Sequence, residues 1–365
     1  MSLLVVEGDC AATRIAEELR ALGYETSAAD NLKTARESCD HSPVELVVCD
    51  DLDCAIELAG DFAYLPIVLA TPDVSRDILM RSVRAGLADL WALPVDANEI
   101  AERADSVLKR AKHAAGQAAA RLEQYVNDLQ RDQRAGRYIQ LGMLPPNPMA
   151  IDRYRLRHRI KPSLILSGDF VDYFRISERY FAFYVADVSG HGASSAFVTV
   201  LLKNFSRRLR REYRPSMLED PGEILAWLNR ELLEQEIDKH VAMFLAVGDL
   251  EHDSVCFANA GHFPPAILVS RKGARYLEQI GKPIGLFEKV EYNAETVELC
   301  AGERLVVFTD GILEIMEQST LPEKEQVLLD VVQEGVKIEN IWSVLQVDEH
   351  TCPDDITCLT VVRED

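Results

Sequence analysis

Four short stretches of the chain place an aspartate where a run of β-forming residues meets a turn. Asp169 lies in "SGDFVDYF", Asp187 in "ADVSGHG", Asp310 in "FTDGILE", and Asp354 with Asp355 beside it in "PDDIT". Glycine or a second acid stands close by in each case. A carboxylate held at the end of a rigid strand is well placed to share a cation with others, and Mg²⁺ and Mn²⁺ prefer carboxylate, carbonyl and water oxygens. Two such ions about 3.5–4 Å apart can bridge a hydroxide and bind phosphoryl oxygens. One such motif alone is an ordinary turn aspartate; four within one half of the chain point to metal-assisted chemistry on phosphate. The loop "ADVSGHG" also has the look of a phosphate cradle, but it lacks the lysine that follows the glycines of a P-loop.

The elements that must position these aspartates can be read from the same half. Candidate strands are "YFAFYVADV", "AMFLAVGDL", "SVCFANA", "PAILVS", "ERLVVFTD" and "ITCLTVV", interrupted by helical stretches at 193–212 and 222–235. Strands joined by tight Gly/Pro/Asp turns, with paired helices, describe an α+β sandwich flanked by helices. Gly190 and Gly192 let the backbone turn tightly beside Asp187.

The first hundred residues have a different rhythm. "LLVVE" (3–7), "ELVVCD" (45–50), "YLPIVLAT" (64–71) and "DLWALP" (89–94) are apolar strands separated by helical segments, the first of which ends at Gly23. That alternation predicts an α/β fold, a parallel sheet covered on both faces, with ligand chemistry beyond the carboxyl ends of its strands. Glu7, Asp9, Asp50, Asp51 and Thr71 fall at such ends.

Between the halves, "DANE" (96–99) opens a long helix as a capping box, with Asp96 as N-cap and Glu99 reaching back. One heptad phase puts Leu108, Ala115, Leu122, Leu129, Gly136 and Met143 at a, and Ala111, Ala118, Tyr125, Asp132 and Ile139 at d. About five heptads suffice for a coiled coil, though one helix packed on a domain is the other reading. "PPNP" (145–148) stops the helix. The expected organisation is an α/β core at 1–96, a helical linker at 97–143 and a larger domain at 144–365.

Residues 138–365 resemble the bacterial PP2C-type Ser/Thr phosphatases of the SpoIIE/RsbU group. Seven blocks run in the family order: "YIQLGMLP", "SGDFVDYF", "ADVSGHGASSAF", "FANAGHFPPAIL", "GKPIGLF", "FTDGILE" and "PDDITCLTV". The resemblance implies two Mn²⁺ or Mg²⁺ ions bridged by Asp187, with the Val188 carbonyl helping to hold one. Asp169 would stand on the first ion's side, while Asp310 and Asp354 complete the other's shell. It implies in-line hydrolysis of phosphoserine or phosphothreonine in a protein, by family analogy a STAS-type anti-sigma-factor antagonist of a partner-switching pathway. His191 and His262 are read either as buried hydrogen-bonding groups or as a leaving-group acid, and Asp172 and Asp355 as outer ligands or structural residues. Ser167 stands where the family usually has glycine. Arg207, Arg208, Arg210 and Arg211 are read either as a contact for an acidic substrate or as a solvated helix face.

Residues 1–112 resemble a CheY-like receiver, a flavodoxin-like fold. "VVEGD" matches its acidic pair, "VVCDD" its phosphoacceptor strand, "LAT" its switch threonine and "WALPV" its Lys-Pro turn. Asp50 then takes the phosphoacceptor position and Thr71 the switch. Gly8 replaces one acid of the Mg²⁺ pair and Leu93 replaces the lysine, so a phosphoryl group on Asp50 would lack its partners. The resemblance implies a degenerate receiver that dimerises or binds a partner, against the reading of one still phosphorylated at Asp50.

The totals agree with a two-domain protein. The 365 residues are 48% hydrophobic, with a net charge of −21 that disfavours nucleic acid and anionic membranes as partners. No apolar run approaches the roughly 20 residues needed to cross a bilayer, and the first residues read as a strand rather than a signal peptide. The eight cysteines (Cys10, Cys39, Cys49, Cys54, Cys256, Cys300, Cys352, Cys358) form no C-x-x-C pair and read as buried thiols of a cytoplasmic protein. The competing functional reading is a non-enzymatic adaptor that binds a sigma factor or an antagonist through a phosphatase-like domain. Such a domain should lack carboxylates at the four positions, and here all four are present. A homodimer through helix 97–143 completes the expectations.

Overall fold

The computed structural model describes residues 2–6, 10–190, 192–334, 337–349 and 352–364. They form two compact units, Met1–Asn127 and Asp128–Asp365, with the boundary inside one helix.

In the first unit, five strands alternate with helices: β1 (Ser2–Val6), α1 (Cys10–Ala21), β2 (Glu25–Ala29), α2 (Leu32–His41), β3 (Leu46–Cys49), α3 (Leu52–Asp61), β4 (Ile67–Thr71), α4 (Arg76–Ala85) and β5 (Asp89–Ala92). All pairings are parallel, in the order β2-β1-β3-β4-β5 of the flavodoxin-like fold. Alternate residues feed two apolar layers. Leu3, Val5, Leu46, Val48, Val68 and Ala70 face one, while Leu4, Val6, Val47, Cys49, Ile67 and Leu69 face the other. Both faces of the central strands are thus buried, which is why they appear in the sequence as unbroken apolar runs. The edge strand β2 ("ETSAA") has no such run and was not anticipated.

The helix α5 (Ala97–Met143) spans 47 residues and links the domains, about 70 Å at 1.5 Å per residue. Asp96 Oδ1 accepts from the amides of Asn98 and Glu99, as expected of the N-cap. The Glu99 carboxylate differs from expectation: it runs forward to Arg103 at 3.0 Å, one turn on, where a full charge attracts it. Ile100, Ala104, Val107 and Leu108 are buried in the first unit. In the second, Arg137 donates to the Ile165 carbonyl at 2.8 Å. Between these anchored ends Leu122, Tyr125 and Leu129 are 65%, 73% and 60% exposed.

The second unit continues through β6 (Met149–Ile151), β7 (Tyr154–Lys161), β8 (Phe170–Arg175), β9 (Tyr180–Val188), α6 (Ala193–Glu212), α7 (Pro215–Glu219), α8 (Pro221–Leu233), β10 (Val241–Asp249) and β11 (Ser254–Ala260). It ends with β12 (Ile267–Ser270), β13 (Gly273–Tyr276), β14 (Ala294–Glu298), β15 (Arg304–Phe308), α9 (Gly311–Glu314), α10 (Leu321–Gln333), α11 (Ile338–Val344) and β16 (Ile356–Arg363). Two antiparallel sheets result, β14-β11-β10-β9-β8 and β13-β12-β15-β16-β7-β6. Phe181, Phe183, Val185, Phe244, Leu305, Val307, Leu359 and Val361 meet between them. The outer face of the first sheet packs on α6 and α8, and that of the second on α10 and α11. The layers are therefore helix, sheet, sheet, helix, as expected of the sandwich. No helix among the described residues is long and apolar enough to cross a membrane.

Candidate metal centre

The period of two along each strand explains how the aspartates come together. Phe181, Phe183 and Val185 point between the sheets, so Asp187 continues that column at the end of β9. Asp169 stands just before β8, in step with Val171 and Tyr173 of the same layer. On the other sheet, Leu305 and Val307 lead to Thr309, and Val361 and Leu359 lead back to Thr357. The apolar interior of the sandwich thus ends in a polar patch drawn from four strand ends.

Asp169 is buried within it, and its Oδ2 accepts from the Thr309 hydroxyl at 2.8 Å and the Thr357 hydroxyl at 2.6 Å. Burial, and then the charge of Asp187, push its carboxyl well above the usual range, against the pull of the two hydroxyls. Asp187 is pushed up to about 7, first by burial and then by Asp310, Asp354 and Asp355 in turn. Asp310 is raised by burial and by Asp354. Glu314, one turn beyond Asp310, is raised by burial and by the same two aspartates.

The backbone of the patch is held by Asp355. Its Oδ1 accepts from the Ser163 amide and hydroxyl at 2.6 and 2.9 Å, and its Oδ2 from the Ser167 hydroxyl at 3.0 Å and the Gly168 amide at 2.6 Å. Four donors on two oxygens make it a brace for the turn that carries Asp169. The Ser167 hydroxyl also accepts from the Asp169 amide at 3.1 Å, so this serine fastens the turn at a position where glycine could not. Gln140 of α5 grips the same residue, donating to the Ser167 carbonyl at 2.7 Å and accepting from its amide at 3.2 Å. On the other side, a Cβ on Gly311 would lie 2.2 Å from the Asp355 carbonyl oxygen. Only glycine lets the Asp310 turn approach the Asp354–Asp355 turn so closely.

Gly190 and Gly192 have φ of 76° and 81°, as the tight turn after Asp187 requires. The Lys239 ammonium donates to the Ser189 carbonyl at 2.8 Å and to the Ser195 hydroxyl at 3.3 Å, placing a cation against this loop. Thr309, Thr357, Gln140 and Lys239 were not singled out from the sequence. For the two threonines the signal was available, since each keeps the inward phase of its strand.

Other residues flagged from the sequence have separate tasks. Asp172 is buried and paired with Lys203 Nζ at 3.0 Å, a structural ion pair. The His262 imidazole is buried, which pushes it down to about 4; it is neutral at physiological pH and unsuited to act as a charged leaving-group acid. His191 lies outside the described residues, as do Glu7, Gly8 and Asp9. Arg208 pairs with Glu231 and covers the Trp227 ring, and Arg210 covers Phe174, so those two serve the domain's own surface. Asp50 follows β3 and lines a pocket of about 320 Å³ with Asp30, Asp51, Asp53, Cys54 and Glu57, while Leu93 lines a different one with Pro72 and Pro94. Thr71 ends β4, its hydroxyl accepting from the Asp73 amide at 3.3 Å.

The donor set at the sandwich end is all oxygen, and its carboxylates oppose one another's charge in a half-buried place. A hard divalent cation relieves that situation, so the residues present fit Mg²⁺ or Mn²⁺. Among the described residues, the group of three acids or histidines whose ligand atoms all lie within 4.8 Å is elsewhere: Asp249, Glu251 and His252. There the Arg179 guanidinium already pairs with Asp249 at 2.6 Å and Glu251 at 3.2 Å.

Comparison with known proteins agrees with the fold. The SiaA PP2C domain of Pseudomonas aeruginosa superposes with a TM-score of 0.55 at 19% identity, over 66% of this chain and 99% of that one. Phosphoserine phosphatase RsbP of Bacillus subtilis is 29% identical over 196 residues, 53% of this chain and 47% of RsbP. Phosphoserine phosphatase RsbU of the same organism is 27% identical over 214 residues, 56% of this chain and 61% of RsbU. The chain thus spans about half the length of these relatives. The model of the family described as Stage II sporulation protein E (SpoIIE) matches residues 177–364, a stretch that holds Asp187, Asp310 and Asp354 and begins just after Asp169. With more than half of its length matched, the chain belongs to the SpoIIE family, and its second unit has the PP2C-type fold.

Proposed function

We propose that the second unit is a metal-dependent protein serine/threonine phosphatase. The observation that carries this reading is Asp187, half-buried at a strand end and pushed up to about 7, first by burial and then by Asp310 and Asp354. Asp169, Asp187, the Val188 carbonyl, Asp310 and Asp354 would hold two Mn²⁺ or Mg²⁺ ions. When bound, these ions supply Lewis acidity toward phosphoryl oxygens and a water of lowered pKa. The chain's own residues do the positioning. Thr309 and Thr357 fix Asp169 Oδ2 and so leave its Oδ1 for a cation. Asp355 and Ser167 hold the turn that carries it. Asp187 stands in the acidic field of Asp310, Asp354 and Asp355, which a bound cation would relieve. The Gly190 turn keeps the backbone clear of a bulky protein substrate.

The relatives RsbP and RsbU, named phosphoserine phosphatases, support phosphoserine as the group acted on, and we take its carrier to be a STAS-type antagonist in a partner-switching pathway. The first unit is read as a degenerate receiver that regulates the phosphatase, with Asp50 at the phosphoacceptor position. Helix 97–143 is read as the seam of a homodimer in a cytoplasmic setting. The test is release of phosphate from a phosphoserine protein by the full chain. Turnover that needs Mn²⁺ or Mg²⁺ and stops in Asp310→Asn supports the proposal; turnover unchanged by a chelator, or none with either ion, rejects it.

A further inference from the structure

Three cysteines of the first unit share one apolar layer: Cys39 in α2, Cys49 at the end of β3 and Cys54 in the first turn of α3. Cys39 and Cys49 are buried, and Cys54 is half-buried at the edge of that layer. Cys49 and Cys54 stand five residues apart on either side of the turn from β3 to α3, and both side chains belong to the same apolar cluster. Only one of the two is reachable. Cys54 lines the pocket of about 320 Å³ beside Asp50, Asp51 and Asp53, whereas Cys49 is sealed between β1 and β4, in register with Val6 and Leu69. A reachable sulfur with a sheltered partner in the same apolar cluster is the arrangement of a redox-sensing thiol and its resolving thiol.

The surroundings also favour a thiolate at the reachable position. The hydrogen bond from Cys49 holds the Cys54 thiol below the usual cysteine range, although burial and the charges of Asp51, Glu57 and Asp50 oppose it. Cys49 is correspondingly raised, first by the same bond and then by burial. Cys54 also belongs to the N-terminal turn of a ten-residue helix, where its amide donates to Asp51 Oδ1 at 2.7 Å. The positive end of a helix stabilises a sulfur anion.

We propose that Cys54 and Cys49 are a peroxide-responsive pair that closes a disulfide across the loop bearing Asp50. The Cys54 thiolate attacks one oxygen of hydrogen peroxide. The O–O bond breaks, the sulfur is oxidised by two electrons to a sulfenic acid, and hydroxide departs and takes a proton as water. The Cys49 sulfur then loses its proton and attacks the Cys54 sulfur, the S–O bond breaks, and a second water leaves. Two thiols and one peroxide thus become one disulfide and two waters. Cys49 is fixed in a central strand, so the first turn of α3 must move toward it. The loop next to Asp50 thereby acquires a covalent state without the lysine that Leu93 replaces.

The test uses the reduced full-length chain, treated with hydrogen peroxide, alkylated under denaturing conditions, digested and analysed by mass spectrometry. The expected product is a peptide lighter by two hydrogens, with no backbone fragments arising between Cys49 and Cys54. Cys54→Ser should leave Cys49 fully alkylated. In Cys49→Ser, dimedone should trap a sulfenic acid on Cys54, which then lacks its resolving thiol. Complete alkylation of both residues in the wild-type chain after peroxide would overturn the proposal. So would a disulfide from Cys49 to Cys39, or oxidation of Cys300 ahead of Cys54.

Discussion

The Thr357 hydroxyl donates to Asp169 Oδ2 at 2.6 Å, and through this bond the turn before β8 is tied to the start of β16 on the opposing sheet. Thr309 adds a second hydroxyl at 2.8 Å, and the Thr357 amide in turn donates to the Thr309 oxygen at 2.8 Å. One buried carboxylate is thus held from two adjacent strands of the other sheet, and the two halves of the acidic patch keep their spacing.

Replacing Thr357 with valine keeps the shape and removes one donor from a buried carboxylate. An unsatisfied buried acceptor costs about 1–3 kcal/mol. The melting temperature of Thr357→Val should fall by several degrees, and its affinity for Mn²⁺ should weaken as Asp169 loses its fixed orientation. An unchanged melting temperature would mean that the bond contributes nothing.

Gly311→Ala probes the contact between the other two turns. Its Cβ would lie 2.2 Å from the Asp355 carbonyl oxygen, so the Asp310 turn must move away. Overpacking of this kind costs about 1–3 kcal/mol. Divalent-ion affinity should drop more in Gly311→Ala than in an alanine variant at exposed Gly60, where nothing lies within 4 Å of an added Cβ. Equal affinities in the two would separate the turn contact from the metal centre.

The acidic patch was legible because each aspartate announces itself next to glycine or a second acid at the end of an apolar run. Its supports were not. Thr309 and Thr357 differ from their neighbours only in phase along the strand, and Gln140 acts from a helix far away in sequence. Ser167 reads in the sequence only as a departure from the family's glycine, and its hydroxyl fastens the turn. Strand β7 ("YRLRHRIK") escaped notice because of its charges, although Tyr154, Leu156 and His158 alternate strictly with arginines. Those arginines face outward to Glu364, Glu339 and Asp348. Both β2 and β14 are edge strands whose polar composition hides them.

A pH dependence follows from His158. It is buried, with Nδ1 hydrogen-bonded to the Tyr173 hydroxyl at 2.9 Å, and burial lowers its pKa from 6.5 to about 4. Between those values the unfolded chain binds more protons than the folded one, so unfolding free energy falls as pH falls through this window. The contribution is at most about 1.4 kcal/mol per pH unit. Measured by urea unfolding, the wild-type chain should lose more stability between neutral pH and pH of about 5 than His158→Gln, by roughly 2 kcal/mol. Parallel curves for the two proteins would contradict the buried neutral histidine.

The exposed stripe on α5 makes the dimer testable. Leu122 and Leu129 occupy a positions of the heptad and are 65% and 60% exposed. If a second copy covers them, the double change Leu122→Glu and Leu129→Glu should convert a dimer to a monomer in sedimentation equilibrium, since charge at a positions opposes a seam. A wild-type chain that sediments as a monomer would remove the seam altogether.

The central claim is that Asp187 and its neighbours hold divalent ions, and calorimetric titration of Mn²⁺ into the full-length chain near neutral pH tests it most directly. Wild-type protein should bind, with protons released as Asp187 ionises, and Asp187→Asn should lose at least about tenfold in affinity because a charged ligand becomes neutral. Asp249→Asn, at the exposed Arg179-paired cluster, should bind as wild type does. Undiminished binding by Asp187→Asn, or loss of binding in Asp249→Asn instead, would contradict the account.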